Sequence, residues 1–119
     1  MAFDWRDFLE LARFLQSQSN IAIQEAAQRS SVSRAYYAAF CHARNYTRDQ
    51  LGFSPYYHVA DHQLVRDCLR SNRMGSVATC LDKLRQWRND CDYDDVLGNL
   101  PSLVSRAISK SSSVLTSLR

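Results

Sequence analysis

The side chains most able to do chemistry are gathered in Leu84-Arg85-Gln86-Trp87-Arg88-Asn89-Asp90-Cys91-Asp92-Tyr93. Val77, Leu81, Leu84, Arg88 and Cys91 follow one another at steps of 4, 3, 4 and 3 residues. That spacing is the seam of an amphipathic helix, and Arg88 occupies a seam position. Desolvating an unpaired guanidinium costs several kcal/mol or more, so Arg88 either pairs with a carboxylate or lines a cleft. Asn89, Asp90 and Asp92 lie within reach of the same helix end. The plain alternative is an ion pair that fixes the end of a bundle.

A second segment, Ser33-Arg34-Ala35-Tyr36-Tyr37-Ala38-Ala39-Phe40, places two tyrosines about 100° apart on a helix. One can enter the core while the other reaches its edge, and the neighbouring alanines let another helix approach. Aromatic packing is the expected role of Tyr36 and Phe40. Arg34 and Tyr37 are the pair that could serve a polar cleft.

Other chemistries fail on residue type. A di-iron carboxylate bundle needs about four glutamates with Glu-x-x-His pairs, and this chain has only Glu10 and Glu25. His58 and His62 stand at i, i+4, but no third ligand is near, so a helix-start histidine and a packed one are expected. Gly-rich phosphate loops and a G-x-S-x-G turn are missing. Cys41, Cys68, Cys80 and Cys91 show no C-x-x-C spacing and read as buried free thiols in a reducing cytosol. Neither a metal nor an organic cofactor is implied.

The elements that must position these residues are helical. The 119 residues show no break in composition, so one domain spanning 1–119 is expected. The net charge of +3 is too weak to indicate nucleic-acid binding alone. No apolar run approaches the roughly 20 residues that span a bilayer, and the N-terminal residues do not read as a secretory signal. A cytoplasmic protein without membrane attachment is the expectation.

Five helices are predicted. The first runs from about Asp4, its N-cap, to Gln18, with Phe8, Leu11, Ala12 and Leu15 on one face. The second runs from Ile21 to Leu51 and is stopped by Gly52. The third spans about Tyr57 to Ser71, with Leu64, Val65, Cys68 and Leu69 inward. The fourth is capped by Ser76 and reaches Cys91, followed by an acidic loop from Asp92 to Gly98. The fifth starts near Pro101 and ends near Leu118, with a serine-rich middle, Ser109 to Ser113, that is expected to fray. No strand pattern and no repeat is present. The fold class is therefore all-α, an antiparallel bundle of four to five helices.

Together, the Ser33–Phe40 segment, the His62 segment and the Leu84–Tyr93 segment resemble the HEPN family, over about Ser33 to Tyr93. The last is similar to an Arg-Asn-x-Ala-Asp-Tyr variant of the family's motif, with Cys91 in place of the alanine. The resemblance implies an α-helical, HEPN-like bundle that pairs as a homodimer, with arginine motifs of two subunits meeting across a cleft. Many such proteins are metal-independent ribonucleases, often toxins encoded beside a small nucleotidyltransferase partner. Their nucleases use an arginine followed after four to six residues by histidine. Arg88 matches the arginine and Asn89 the polar residue after it, but Tyr93 stands five residues on, and no histidine follows His62.

Metal-free RNA cleavage needs a group that titrates near neutrality, and tyrosine, with a pKa of about 10, is poorly suited. Three readings follow. The first, leaning away from an enzyme, is a degenerate HEPN dimer in a toxin–antitoxin or defence setting. It binds a nucleotide, an RNA or a nucleotidyltransferase partner through Arg34, Tyr37, Arg88, Asn89, Asp90 and Asp92. The second is an active ribonuclease toxin with Arg88 and Tyr93 as catalytic residues, Tyr93 being also a candidate acceptor of a nucleotidyl group. The third is a non-catalytic helical adaptor.

Overall fold

The computed structural model describes residues 2–18 and 21–119, and every described element is helical. α1 spans Asp7–Gln16, α2 Gln24–Leu51, α3 Asp61–Ser71, α4 Gly75–Tyr93 and α5 Leu100–Ser117, with a 3₁₀ turn at Ile21–Ile23 before α2. The five-helix order matches the sequence pattern, and no described helix is long and apolar enough to cross a membrane.

α2 is the spine, packed by α1, α5, α4 and α3. Its buried positions include Ala27, Ser31, Ala35, Ala38, Ala39 and Ala43, small side chains that let the neighbours come close. Hydrogen bonds lock two of these contacts. Ser31 Oγ donates to the Ala12 carbonyl at 2.7 Å, and His42 Nε2 donates to the Leu118 carbonyl at 2.6 Å. Gly52 ends α2 at φ 75°, the left-handed conformation that glycine adopts at little cost, and the Thr47 carbonyl takes the N–H of Phe53 at 3.0 Å.

Several local expectations are corrected. Asp4 does not cap α1. Its Oδ1 accepts the Arg6 N–H at 3.0 Å in a turn that precedes the helix. Leu11 is 40% exposed, and Leu9 with Ala12 forms the buried arc instead. Leu11 lies about 130° from the centre of that arc, on the far side from Leu9. α3 begins at Asp61 rather than Tyr57, because Tyr57 has φ 60° and cannot continue a right-handed helix. Ser76 is exposed inside the first turn of α4, which starts one residue earlier, at Gly75, and has no side-chain cap. Asp92 and Tyr93 belong to α4, so the acidic loop is shorter than predicted. The serine-rich stretch does not fray: α5 is continuous through it, and Ser111 is fully buried. Its low intrinsic propensity is overridden because Ala107 and Val114, one turn to either side, are buried with it. All four cysteines are free; Cys41 and Cys91 are buried, while Cys68 and Cys80 are only half-buried.

Candidate functional site

Three helices converge around Tyr36. α2 supplies Tyr36, Tyr37 and Phe40, α3 supplies His62 and Arg66, and α4 supplies Arg85 and Arg88. Tyr36 is fully buried and stacks on Phe40 with ring centroids 5.8 Å apart. His62 lies parallel to Phe40, 4.3 Å away. Burial holds the Tyr36 phenol protonated well above its ordinary range, against the opposing charges of Arg85, Arg88 and Arg66. The phenol hydroxyl and His62 Nδ1 share a hydrogen bond whose direction follows the histidine tautomer. His62 is pushed down to about 4, first by burial and then by Arg85, Arg88 and Arg66, with Asp61 acting in the other direction. At neutral pH the ring is uncharged.

The arginines around this pair are incompletely satisfied. Arg88, with a side chain 13% exposed, lies over the rings of Tyr37 at 5.3 Å and Tyr36 at 5.6 Å. Its nearest carboxylate, Asp92, is 3.4 Å away. Arg66 is buried, donates from Nη2 to Gln63 Oε1 at 2.7 Å, and meets Asp82 only at 3.8 Å. Arg85 has no ion pair among the described residues. A charge-assisted N–H···O bond is normally about 2.7–2.9 Å, so both carboxylates sit too far for full engagement. The Nε atoms of Arg66, Arg85 and Arg88 are all buried without a hydrogen-bond partner. Three guanidinium groups thus share one locality with two distant carboxylates.

No family model, curated protein or solved structure matches this chain.

An open cleft of about 580 Å³ adjoins the cluster, with Trp5, Phe8, Arg34, Tyr37, Arg44 and Tyr57 among its lining residues and His62 at its wall. Arg34 stacks over Phe8 at 5.0 Å and Tyr37 at 5.8 Å. The connection between α2 and α3 forms one rim. Asp61 is buried and shapes that rim: Oδ1 accepts the Tyr56 N–H at 3.0 Å and Oδ2 the Tyr57 N–H at 2.8 Å. Those two bonds hold Tyr57 in its left-handed conformation and present its ring outward.

Of the residues singled out by sequence, the structure brings together Arg34, Tyr37 and Arg88. Asp92 is attached to Arg88 by the long contact one turn away. Asn89 is half-buried, and Asp90 is exposed with no side-chain hydrogen bond among the described residues. Tyr93 is 76% exposed. Five residues beyond Arg88 on one continuous helix, it is rotated by about 140° and displaced by about 7.5 Å along the axis. Within one chain, Arg88 and Tyr93 do not share a face. His58 lies in the turn before α3, where its Nδ1 accepts the Ala60 N–H at 3.1 Å. No group of three or more potential metal ligands occurs among the described residues.

Sequence reasoning missed Arg66, Arg85, Asp61 and the Tyr36–His62 bond. A signal for Arg66 was present: His62, Val65, Arg66 and Leu69 follow helical spacing, which puts Arg66 on the inner stripe of α3 just as Arg88 lies on that of α4. Arg85 and Arg88, three apart, are neighbours on one helix face.

Proposed function

We propose that this chain is an HEPN-like homodimeric module that binds the phosphate of a nucleotide or RNA at Arg66, Arg85 and Arg88. The observation that carries the reading is the set of three buried Nε–H groups without acceptors beside a neutral histidine. A phosphate oxygen meets that need: it brings negative charge and several acceptor sites, and guanidinium forks match its geometry. Tyr37, under Arg88, is positioned to contact an adjoining base or sugar. Cleavage through Tyr93 has no support from the geometry of one chain. A catalytic variant of this reading would use His62, the titratable group beside Arg88, rather than Tyr93, but a ring pushed down to about 4 lies below the near-neutral range that such cleavage needs.

Calorimetric titration with uridine monophosphate and with uridine separates these readings. The nucleotide should bind and the nucleoside should bind far more weakly. Arg88→Ala should lower nucleotide affinity about tenfold to a hundredfold, the size of a lost charged hydrogen bond, and Arg88→Lys should fail to restore it because an ammonium cannot form the fork. Equal binding of uridine, or full affinity in a folded Arg88→Ala protein, would refute the phosphate site. No binding of either compound would favour the adaptor reading. Incubation with RNA in EDTA tests the catalytic variant: cleavage lost in His62→Gln and kept in Tyr93→Phe would establish it.

A further inference from the structure

From Arg88 a continuous series of cations and rings, broken once where two rings meet, leads through the cleft residues Tyr37, Arg34, Phe8, Trp5, Arg44 and Tyr57. Arg88 lies 5.3 Å from the Tyr37 ring, and Tyr37 lies 5.8 Å from Arg34. Arg34 lies 5.0 Å from Phe8, and Phe8 meets Trp5 edge-on with centroids 5.3 Å apart. Trp5 lies 5.6 Å from Arg44, and Arg44 lies 5.2 Å from Tyr57. Arg48 Nη1 closes the series by donating to the Tyr57 hydroxyl at 3.4 Å. Four arginines and four rings from the turn before α1, from α1, α2, the α2–α3 connection and α4 make one strip. The rungs are only partly buried, and Tyr57 is 63% exposed.

We propose that this strip is a path for single-stranded RNA, with unpaired bases stacking on Tyr37, Phe8, Trp5 and Tyr57 and backbone phosphates meeting Arg88, Arg34, Arg44 and Arg48. The proposal rests on the phosphate site above, since Arg88 is its first rung. Charge favours an anionic polymer. Four arginines outnumber the carboxylates beside them: Asp61 in the cleft, whose oxygens both accept backbone N–H groups, Asp92 at 3.4 Å from the first rung, Arg88, and Asp49 paired with the last, Arg48. Arginines interleaved with rings suit a strand that carries phosphates and bases together, and base–aromatic stacking tolerates any base. The cleft volume, about 580 Å³, is in the range of small-ligand sites. It admits splayed bases, whereas a duplex keeps its bases stacked inside and offers only phosphates.

The test is fluorescence anisotropy with a labelled uridine oligonucleotide of about eight residues, a matched duplex, and unlabelled uridine monophosphate or polyglutamate as competitors. The single strand should bind at least about tenfold tighter than the mononucleotide and the duplex, and polyglutamate should displace it poorly. Tyr57→Ala and Arg44→Gln lie away from the Arg66–Arg85–Arg88 cluster. Each should weaken the oligonucleotide about fivefold or more and leave mononucleotide binding unchanged, with folding checked by circular dichroism. Oligonucleotide affinity no greater than that of the mononucleotide, or unaltered in both variants, would overturn the strip while the phosphate site stands. Displacement by polyglutamate as readily as by RNA would reduce the strip to an unselective anion surface. Loss of all nucleotide binding in the wild-type protein would bring down both proposals.

Discussion

His62 illustrates how neighbours set the chemistry of a side chain. Its ring is pressed on Phe40, its Nδ1 shares a hydrogen bond with the Tyr36 hydroxyl, and Arg85, Arg88 and Arg66 oppose a positive charge on it, with Asp61 as the counterweight. The folded-state value of about 4 lies below the ordinary 6.5. Between those values the unfolded chain binds a proton that the folded protein does not, so stability falls as pH drops from 6.5 to about 4. Below that window the contribution is flat; above it His62 carries no penalty. Thermal midpoints measured across this range should decline less steeply in His62→Gln than in the wild type. Equal slopes would mean that His62 titrates normally in the folded protein. The spacing of His58 and His62 invited a comparison with metal ligands, but only His62 reaches the core. The bond that defines it joins residues 26 positions apart, beyond any helical repeat.

Among the elements, α4 depends on a residue that local sequence rules do not reveal. Arg29 of α2 donates from Nη1 to the Cys91 carbonyl at 3.0 Å and the Asp94 carbonyl at 2.5 Å, and from Nη2 to the Asp95 carbonyl at 3.2 Å. It closes the C-terminal end of α4, where carbonyls lack helical partners and a cation is favoured. Glu25 holds it from the other side at 3.1 Å. Arg29→Ala should lower stability by about 1–3 kcal/mol, since it leaves carbonyls of a part-buried helix end without donors. It should also speed amide exchange at the α4 end, readable by mass spectrometry around Asp92 to Asp95. Unchanged exchange there would show that water satisfies those carbonyls equally well. The helices themselves were largely legible. Gly52 as a stop, Pro101 at the start of α5 and the Val77–Cys91 seam each act within a few residues. The start of α3 was not legible, because Asp61 and the Tyr57 backbone decide it jointly through contacts that cross the turn.

At the scale of the whole molecule, α2 lies along a bundle measuring 46 × 30 × 23 Å and gives each other helix a face to pack on. Phe3, Leu11 and Phe14 remain 40–54% exposed on and before α1, apolar surface that a single chain leaves uncovered. The homodimer included in the proposed function is tested by light scattering. A mass near twice 13.7 kDa is expected, and a mass near 13.7 kDa at micromolar protein would remove the dimer from the reading.

Helical periodicity, the glycine stop, and Arg88 on an apolar seam could all be read from the sequence because their causes act within one or two turns. An all-α chain of five helices was determined at that level. Tertiary structure decided which arginines meet. Arg66 comes near Arg85 and Arg88 because α3 and α4 pack together, and the field of all three reaches Tyr36 and His62 because α4 and α3 both lie on α2. It also buried Ser111 against propensity and left Tyr93 off the face of Arg88. Charge, burial and stacking depend on distances between helices, and those distances come from the sum of many side-chain contacts rather than from the order of residues in any one segment.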